Sequence, residues 1–321
     1  MLSREQTGIP ETEAKSLVAD LDPLARFSTP EGGLVLAETT ADPAVIEGRV
    51  AFSRRVGALV PDSNLGEEHL SLLRSGTYRV RVFGKGGDGG ERDRAIIRSA
   101  ADRVRSKVSL ENPDREVSAF VGEDGTEYMA ITSPGRMRQG WVERRPRSRA
   151  FFHPSAIFPK LSRALVNLSG VQQGEVFLDP FCGTGSLLIE ASIIGADPLG
   201  VDLAKKMVRG ARRNSMKYGQ AWLGLIRADS RQLPINRVSG IATDIPYGRA
   251  SSRHGSGMES ILSSLVETAA RVLPRGRKLV VMHPKSTPVP KSGQLTQESE
   301  VNIYIHRTLT RSITVMRRNA T

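Results

Sequence analysis

Residues 147–321 predict an α/β fold, a parallel sheet that ends in an antiparallel hairpin, preceded by two smaller α+β units at residues 1–65 and 66–146. Three observations carry this reading. From residue 174 onward short apolar runs alternate with segments of helical periodicity, the pattern of right-handed crossovers between parallel strands. The first four of those runs each lead into an aspartate. Near the C-terminus two alternating apolar and polar stretches follow each other with only a short connection, as antiparallel strands do.

The elements follow in order. In the first unit 11–21 reads as a helix, 34–38 as a strand and 45–56 as a second helix. In the second, YRVRVF at 78–83 alternates basic and apolar residues and a GKGGDGG loop follows. Helical spacing then covers 93–107, and strands at 116–121 and 128–131 flank an EDG turn. In the third unit 175–178, 199–201, 223–226, 241–243 and 278–282 read as strands, 184–195, 203–218 and 260–273 as helices, and 301–307 with 312–317 as the hairpin. Between the second and third units Arg136, Arg138, Arg144, Arg145, Arg147 and Arg149 stand against a single acid, Glu143. Such a run is either a solvated linker or a grip on phosphates.

The chain's 321 residues exceed one hydrophobic core and suggest two or three domains. A hydrophobic content of 39% and a charged content of 25% fit a globular chain, and no stretch approaches the about 18 apolar residues of a membrane helix. The start, MLSREQTGIPETEAKS, has neither an apolar signal core nor a transit bias, so an intracellular, cytoplasmic protein is expected. A net charge of +12 calls for a polyanionic partner, and with aromatics at 5% and no basic amphipathic helix, nucleic acid is favoured over a membrane surface. The single cysteine, Cys182, excludes an internal disulfide and a Cys-rich zinc site. His69, His153, His254, His283 and His306 show no metal-ligand spacing, so no metal is expected.

The chemistry concentrates where strands meet loops. FLDPFCGTGSLLIEA puts Asp179 at a strand end, then a loop with Gly183 and Gly185, then a helix starting near Ser186. Glycines there let a ligand approach the backbone, and the helix start offers free N–H groups. Asp202 ends the second strand, 23 residues after Asp179, where an acid roughly 20 residues past a glycine loop accepts hydrogen bonds from ribose hydroxyls. RADS places Asp229 at the same edge, and TDIPYGRAS places Asp244 there. A tight turn would explain any one of these, but not an acid at the end of each of four consecutive strands. An edge this acidic suits a cationic, ribose-bearing ligand better than a phosphate. Cys182 lies inside the loop, which argues against a covalent nucleophile.

With those residues in view, residues 147–321 resemble class I methyltransferases that use S-adenosylmethionine, on a Rossmann-like sheet. The resemblance implies that Asp179, Phe181, Cys182, Gly183 and Gly185 lie beside the methionine part, that Asp202 binds the ribose, and that Asp229 with Ser230 sits by the adenine. DIPY, Asp244, Ile245, Pro246 and Tyr247, resembles the D-P-P-Y motif of amino-methyltransferases. By that likeness the acid and a following carbonyl accept from an exocyclic amine, and the tyrosine stacks on the base. Ile245 departs from the motif's first proline, which puts substrate choice in doubt while leaving the carbonyl in place.

FFHPSAIFPKLSRALVNLSGV upstream, together with LDPFCGTGSLLIEA and TDIPYGRAS, narrows the likeness to archaeal tRNA guanosine N2-methyltransferases acting at position 10. That family implies a ferredoxin-like segment at 1–65 and a THUMP-type RNA-binding domain at 66–146. In this setting Arg136, Arg138, Arg144, Arg145 and Arg147 would contact tRNA, and the segment around His153 and Lys160 would cap the cofactor. The chain is expected to be a monomer, with a small activator subunit left open. An amino-methyltransferase of ribosomal RNA or DNA, or a non-catalytic RNA-binding protein on the same fold, would share much of this pattern. A dinucleotide-dependent oxidoreductase fits less well, because the loop lacks the full G-x-G-x-x-G spacing.

Overall fold

The computed structural model describes residues 1–321 other than 4, 6, 31–32, 61–64, 85–88, 123, 135–139, 221, 234, 247–256, 307–308 and 321, and other than the side chains of 305, 306 and 309. In chain order the elements are α1 (Ile9–Leu21), β1 (Arg26–Ser28), β2 (Leu36–Glu38), α2 (Pro43–Arg49), β3 (Gly57–Val60), α3 (Glu67–Arg74), β4 (Tyr78–Gly84), α4 (Glu91–Val104), β5 (Arg115–Val121) and β6 (Glu127–Thr132). Then come α5 (Pro159–Leu168), β7 (Val176–Asp179), α6 (Ser186–Ile193), β8 (Asp197–Asp202), α7 (Lys205–Lys217), β9 (Gly224–Arg227), β10 (Gly240–Asp244), α8 (Met258–Val272), β11 (Lys278–Pro284), β12 (Leu295–His306) and β13 (Leu309–Arg318). They form two compact units: Met1–Arg4, Leu21–Gly48 and Ser53–Gln139 in one, Glu5–Asp20, Arg49–Phe52 and Gly140–Thr321 in the other.

The larger unit is built on a seven-stranded sheet of order β12-β13-β11-β10-β7-β8-β9. Strands β11, β10, β7, β8 and β9 run parallel, and β13 is antiparallel to both β11 and β12. Successive side chains of the central strands enter opposite cores. Phe177 packs with Leu165, Leu187 and Val280, while Leu178 packs with Ile241, Leu265 and Val281. Both faces are therefore covered, which is why these strands read as unbroken apolar runs. Each such buried side chain contributes about 1.5–3 kcal/mol of transfer free energy.

The chain travels outward from β7 through β8 to β9, then jumps back to place β10 on the other side of β7. That reversal opens a crevice beyond the carboxyl ends of β7 and β10, where helices diverge to either side. Asp179 and Asp244 end those two strands.

Helix α1 belongs to this unit and is fastened by buried polar groups. Glu13, with no exposed surface, accepts hydrogen bonds from the amides of Ala51 (2.8 Å) and Phe52 (2.9 Å) and from Asn167 Nδ2 (2.7 Å). Arg49 donates to the carbonyl of Val171 at 2.8 Å, and Lys278 pairs with Asp20 at 2.6 Å. This corrects the expected helix over 45–56. It ends at Arg49, because the next amides are spent on Glu13 instead of on a further helical turn.

In the smaller unit a four-stranded sheet runs β3-β6-β5-β4, with β4 and β5 parallel across α4 and the other pairs antiparallel. Its core holds Val60, Leu73, Tyr78, Val104, Val117 and Ile131. Glu116 is fully buried and bonded by Arg55 and Arg79, each at 2.6 Å, so one basic position of YRVRVF is structural.

Candidate functional site

The parallel strands deliver their acids to one edge. Asp179, Asp202 and Asp244 are the last residues of β7, β8 and β10, and Asp229 stands two residues beyond the end of β9. Asp179 is 2% exposed, and its Oδ1 accepts from Thr243 Oγ1 at 2.7 Å and from the Phe181 amide at 3.1 Å. Burial raises its pKa to about 7 against the pull of those hydrogen bonds, and the charges of Asp244 and Asp202 add to the rise.

The glycine loop folds against these acids. The Gly183 amide donates to Asp202 Oδ2 at 3.0 Å and the Gly185 amide to the Cys182 carbonyl at 2.7 Å, while the Cys182 amide bonds Val201 at 2.8 Å. Gly183 has φ +49° and open space where a Cβ would stand, a cradle against which a ligand can lie. Gly185 caps α6 at φ +80°, and a Cβ there would come within 2.6 Å of the Trp222 ring. Cys182 is buried and its thiol is pushed well above the ordinary range by burial and by Asp179 and Asp202, so it is no nucleophile. Phe181 is half-buried against the second apolar core.

Asp202 also accepts from the Ala204 amide at 2.8 Å, and burial raises its pKa. Asp229 caps the single turn Ser230–Gln232 and pairs with Arg231 at 2.6 Å, with Ser230 half-buried beside it.

Asp244 ends β10, in register with Met282 of β11, and is reached from β13. Its side chain is 15% exposed and pairs with Arg311 of β13, whose Nη1 donates to Oδ2 at 3.1 Å and whose Nη2 donates to Oδ1. Burial raises the Asp244 pKa to about 6, with Arg311 opposing. Ile245 extends the ladder, its amide donating to the Met282 carbonyl at 3.1 Å, and its side chain is fully buried with Leu262 and Leu265. Pro246 is exposed, and Tyr247 lies outside the described residues.

The arginine run divides. Arg136 and Arg138 lie outside the described residues, and Arg145 and Arg147 are exposed. Arg144 departs from the expected role in gripping RNA. It is 8% exposed, paired with buried Glu190 at 2.7 Å and stacked 5.0 Å from the Trp141 ring. Its charge is consumed inside the fold by an acid 46 residues away, which counting charges along the chain does not reveal. Arg149 is likewise buried, bonded to Ser186 Oγ at 2.5 Å.

The segment over the loop is strapped down. The Phe151 amide donates to Asn214 Oδ1 at 2.8 Å, and Asn214 Nδ2 donates to the Thr184 carbonyl at 2.9 Å. His153 bonds Ser155, and Lys160 pairs with Glu5 at 2.5 Å. Sequence reasoning did not bring out Arg311 or Thr243. For Arg311 the signal was available, since an antiparallel last strand must start at the carboxyl edge of its parallel neighbours.

A family model, UPF0020, described as an RMKL-like methyltransferase domain, matches residues 146–310. The chain is 30% identical to a tRNA (guanine(10)-N2)-dimethyltransferase of Methanothermobacter thermautotrophicus over 99% of its own length and 98% of that protein. A protein of the same description from Methanocaldococcus jannaschii is 32% identical over 67% of this chain and 61% of its own. Among solved structures, TrmN from Thermus thermophilus matches with a TM-score of 0.51 at 17% identity, covering 99% of this chain and 98% of that one, a likeness of fold.

Proposed function

The chain belongs to the RMKL-like methyltransferase family, and from that premise we propose that it transfers a methyl group from S-adenosylmethionine to the exocyclic N2 amine of a guanine in tRNA, at position 10. The observation that carries the reading is Asp244, a half-buried acid at the switch-point crevice, on the strand beside the one that Asp179 ends and the glycine loop follows.

The residues present fit the cofactor. Three carboxylates at one edge suit a ligand with a sulfonium, an ammonium and ribose hydroxyls, and the open space at Gly183 admits it against the backbone. Asp179, Phe181, Cys182, Gly183 and Gly185 would hold the methionine part, Asp202 the ribose, and Asp229 with Ser230 the adenine. When bound, S-adenosylmethionine supplies an electrophilic methyl: the amine lone pair forms the N–C bond while the C–S pair returns to sulfur.

The protein's part is orientation and charge. An aromatic amine is a poor nucleophile because its lone pair is delocalised into the ring. Asp244 and the carbonyl following it accept the amine N–H bonds, aim the lone pair and stabilise the positive charge that develops on nitrogen. Asp244 then takes the proton that the methylated nitrogen sheds and returns it to water. Tyr247, from the DIPY motif, stacks on the base and offsets part of the few kcal/mol needed to unstack it, roughly 1–3 kcal/mol.

Residues 1–65, apart from α1 and residues 49–52 that help build the larger unit, and 66–146 we read as a ferredoxin-like segment and a THUMP-type domain that grip tRNA shape and phosphates, aided by the exposed Arg145 and Arg147. A monomer acting in the cytoplasm fits this reading, and among the described residues no helix is long and apolar enough to cross a membrane. The test is transfer of labelled methyl to unmodified tRNA, ribosomal RNA and DNA in parallel, followed by nucleoside mass mapping. N2-methylguanosine at tRNA position 10 is the expected product. Label in ribosomal RNA or DNA alone would overturn the assignment.

A further inference from the structure

The last strand of the sheet sends a charge into the site. Because β13 runs antiparallel to β11, its first residues stand at the carboxyl edge: Arg311 pairs with Pro284, just beyond Met282, which pairs with Asp244. From there Arg311, 5% exposed, reaches past β11 and places both terminal nitrogens on the two oxygens of Asp244. A carboxylate held by such a fork cannot rotate, yet each oxygen keeps a further lone pair for a second donor.

We propose that Arg311 is a positioning residue for the methyl acceptor: it keeps Asp244 ionised and fixed in rotation, so that the carboxylate's remaining lone pair meets the N–H of the incoming amine. The proposal rests on the reading of Asp244 as the amine acceptor. Of the charged groups facing Asp244 among the described residues, Arg311 favours its ionised form and Asp179 opposes it. His283 of β11 has both ring nitrogens engaged, Nδ1 with the Pro284 carbonyl at 3.0 Å and Nε2 with Thr314 Oγ1 at 2.8 Å. Without the guanidinium, burial and the charge of Asp179 act on Asp244 unopposed, and its acid form carries a proton where the amine needs an acceptor.

The test is the pH dependence of single-turnover tRNA methylation by the full chain at saturating S-adenosylmethionine, for wild type, Arg311→Gln and Arg311→Lys. For Arg311→Gln the acid limb should move up by about one pH unit or more from about 6, costing about twofold or more in rate at pH 7 and approaching tenfold below pH 6, with recovery in alkali. Arg311→Lys keeps the charge and loses the fork, so its limb should stay near that of wild type while the plateau rate falls. Affinity for S-adenosylmethionine, measured by calorimetry, should be retained in both. A loss of rate in Arg311→Gln that is uniform with pH, or full activity in either variant, overturns the proposal. If Arg311→Gln does not fold, the plateau rate of Arg311→Lys decides. Asp244→Asn separates the two claims. If it stays active, the amine reading itself fails; if it is inactive while the limb of Arg311→Gln is unmoved, only the role of Arg311 fails.

Discussion

At Asp179 the fold sets a carboxylate against its own ionisation. With a pKa of about 7 it is part-protonated at neutral pH, and a cationic ligand binds only the ionised form. Below pH 7 a proton must leave before the ligand enters, so the Kd for S-adenosylmethionine should weaken about tenfold per pH unit, and above it the Kd should level off. Titration calorimetry between pH 5.5 and 8.5 checks this, and a flat profile would show that Asp179 does not face the cation. Without ligand the same shift works the other way on folding. A raised carboxylate pKa adds stability that is present below the unfolded value of 3.8 and is lost as pH climbs toward about 7. Gly185 is constrained twice, by φ +80° and by the Trp222 ring. Gly185→Ala should therefore lower the melting temperature measurably, whereas Gly183→Ala, strained by φ +49° but with open space at its Cβ, should lower it less and impair cofactor binding.

Among the elements, α1 shows most clearly where sequence patterns stop informing. The strands and crossover helices from residue 174 onward were legible because two-sided burial makes apolar runs and crossovers make periodic helices, and the acids at their ends were legible with them. The fastening of α1 was not. It depends on Glu13 meeting Ala51, Phe52 and Asn167, partners up to 154 residues away and polar residues that carry no period. Arg144 misleads for the same reason, since its match with Glu190 is a fact of packing. The short strand β3 likewise presents no alternation to read, and α5 buries Arg163 and Asn167, polar residues that its helical period would leave to solvent. Glu13→Ala should leave the amides of Ala51 and Phe52 unpaired in the core, at about 1–3 kcal/mol for each unsatisfied group, while Asn167 Nδ2 keeps the Arg49 carbonyl at 2.9 Å, and denaturant unfolding should show the loss. The same contact implies that a fragment starting near residue 147 lacks part of its own core and should unfold at lower temperature than the full chain.

For the molecule as a whole, the proposed division of labour assigns recognition to a basic surface and chemistry to an acidic crevice on one chain of net charge +12. Affinity for tRNA should fall steeply with salt, as phosphate contacts release counterions, while affinity for the cofactor should change little. Filter binding across a salt series measures the first and calorimetry the second. The central claim is that the crevice presents an ionised Asp244 to the guanine amine. The most direct measurement is single-turnover methylation of unmodified tRNA by Asp244→Asn beside wild type at saturating S-adenosylmethionine. The substitution keeps the size and turn geometry of the side chain while removing its charge. The account predicts a loss of at least ~10²-fold in rate with cofactor binding preserved, the order expected when one preorganised transition-state partner is deleted. A rate near that of wild type would contradict it.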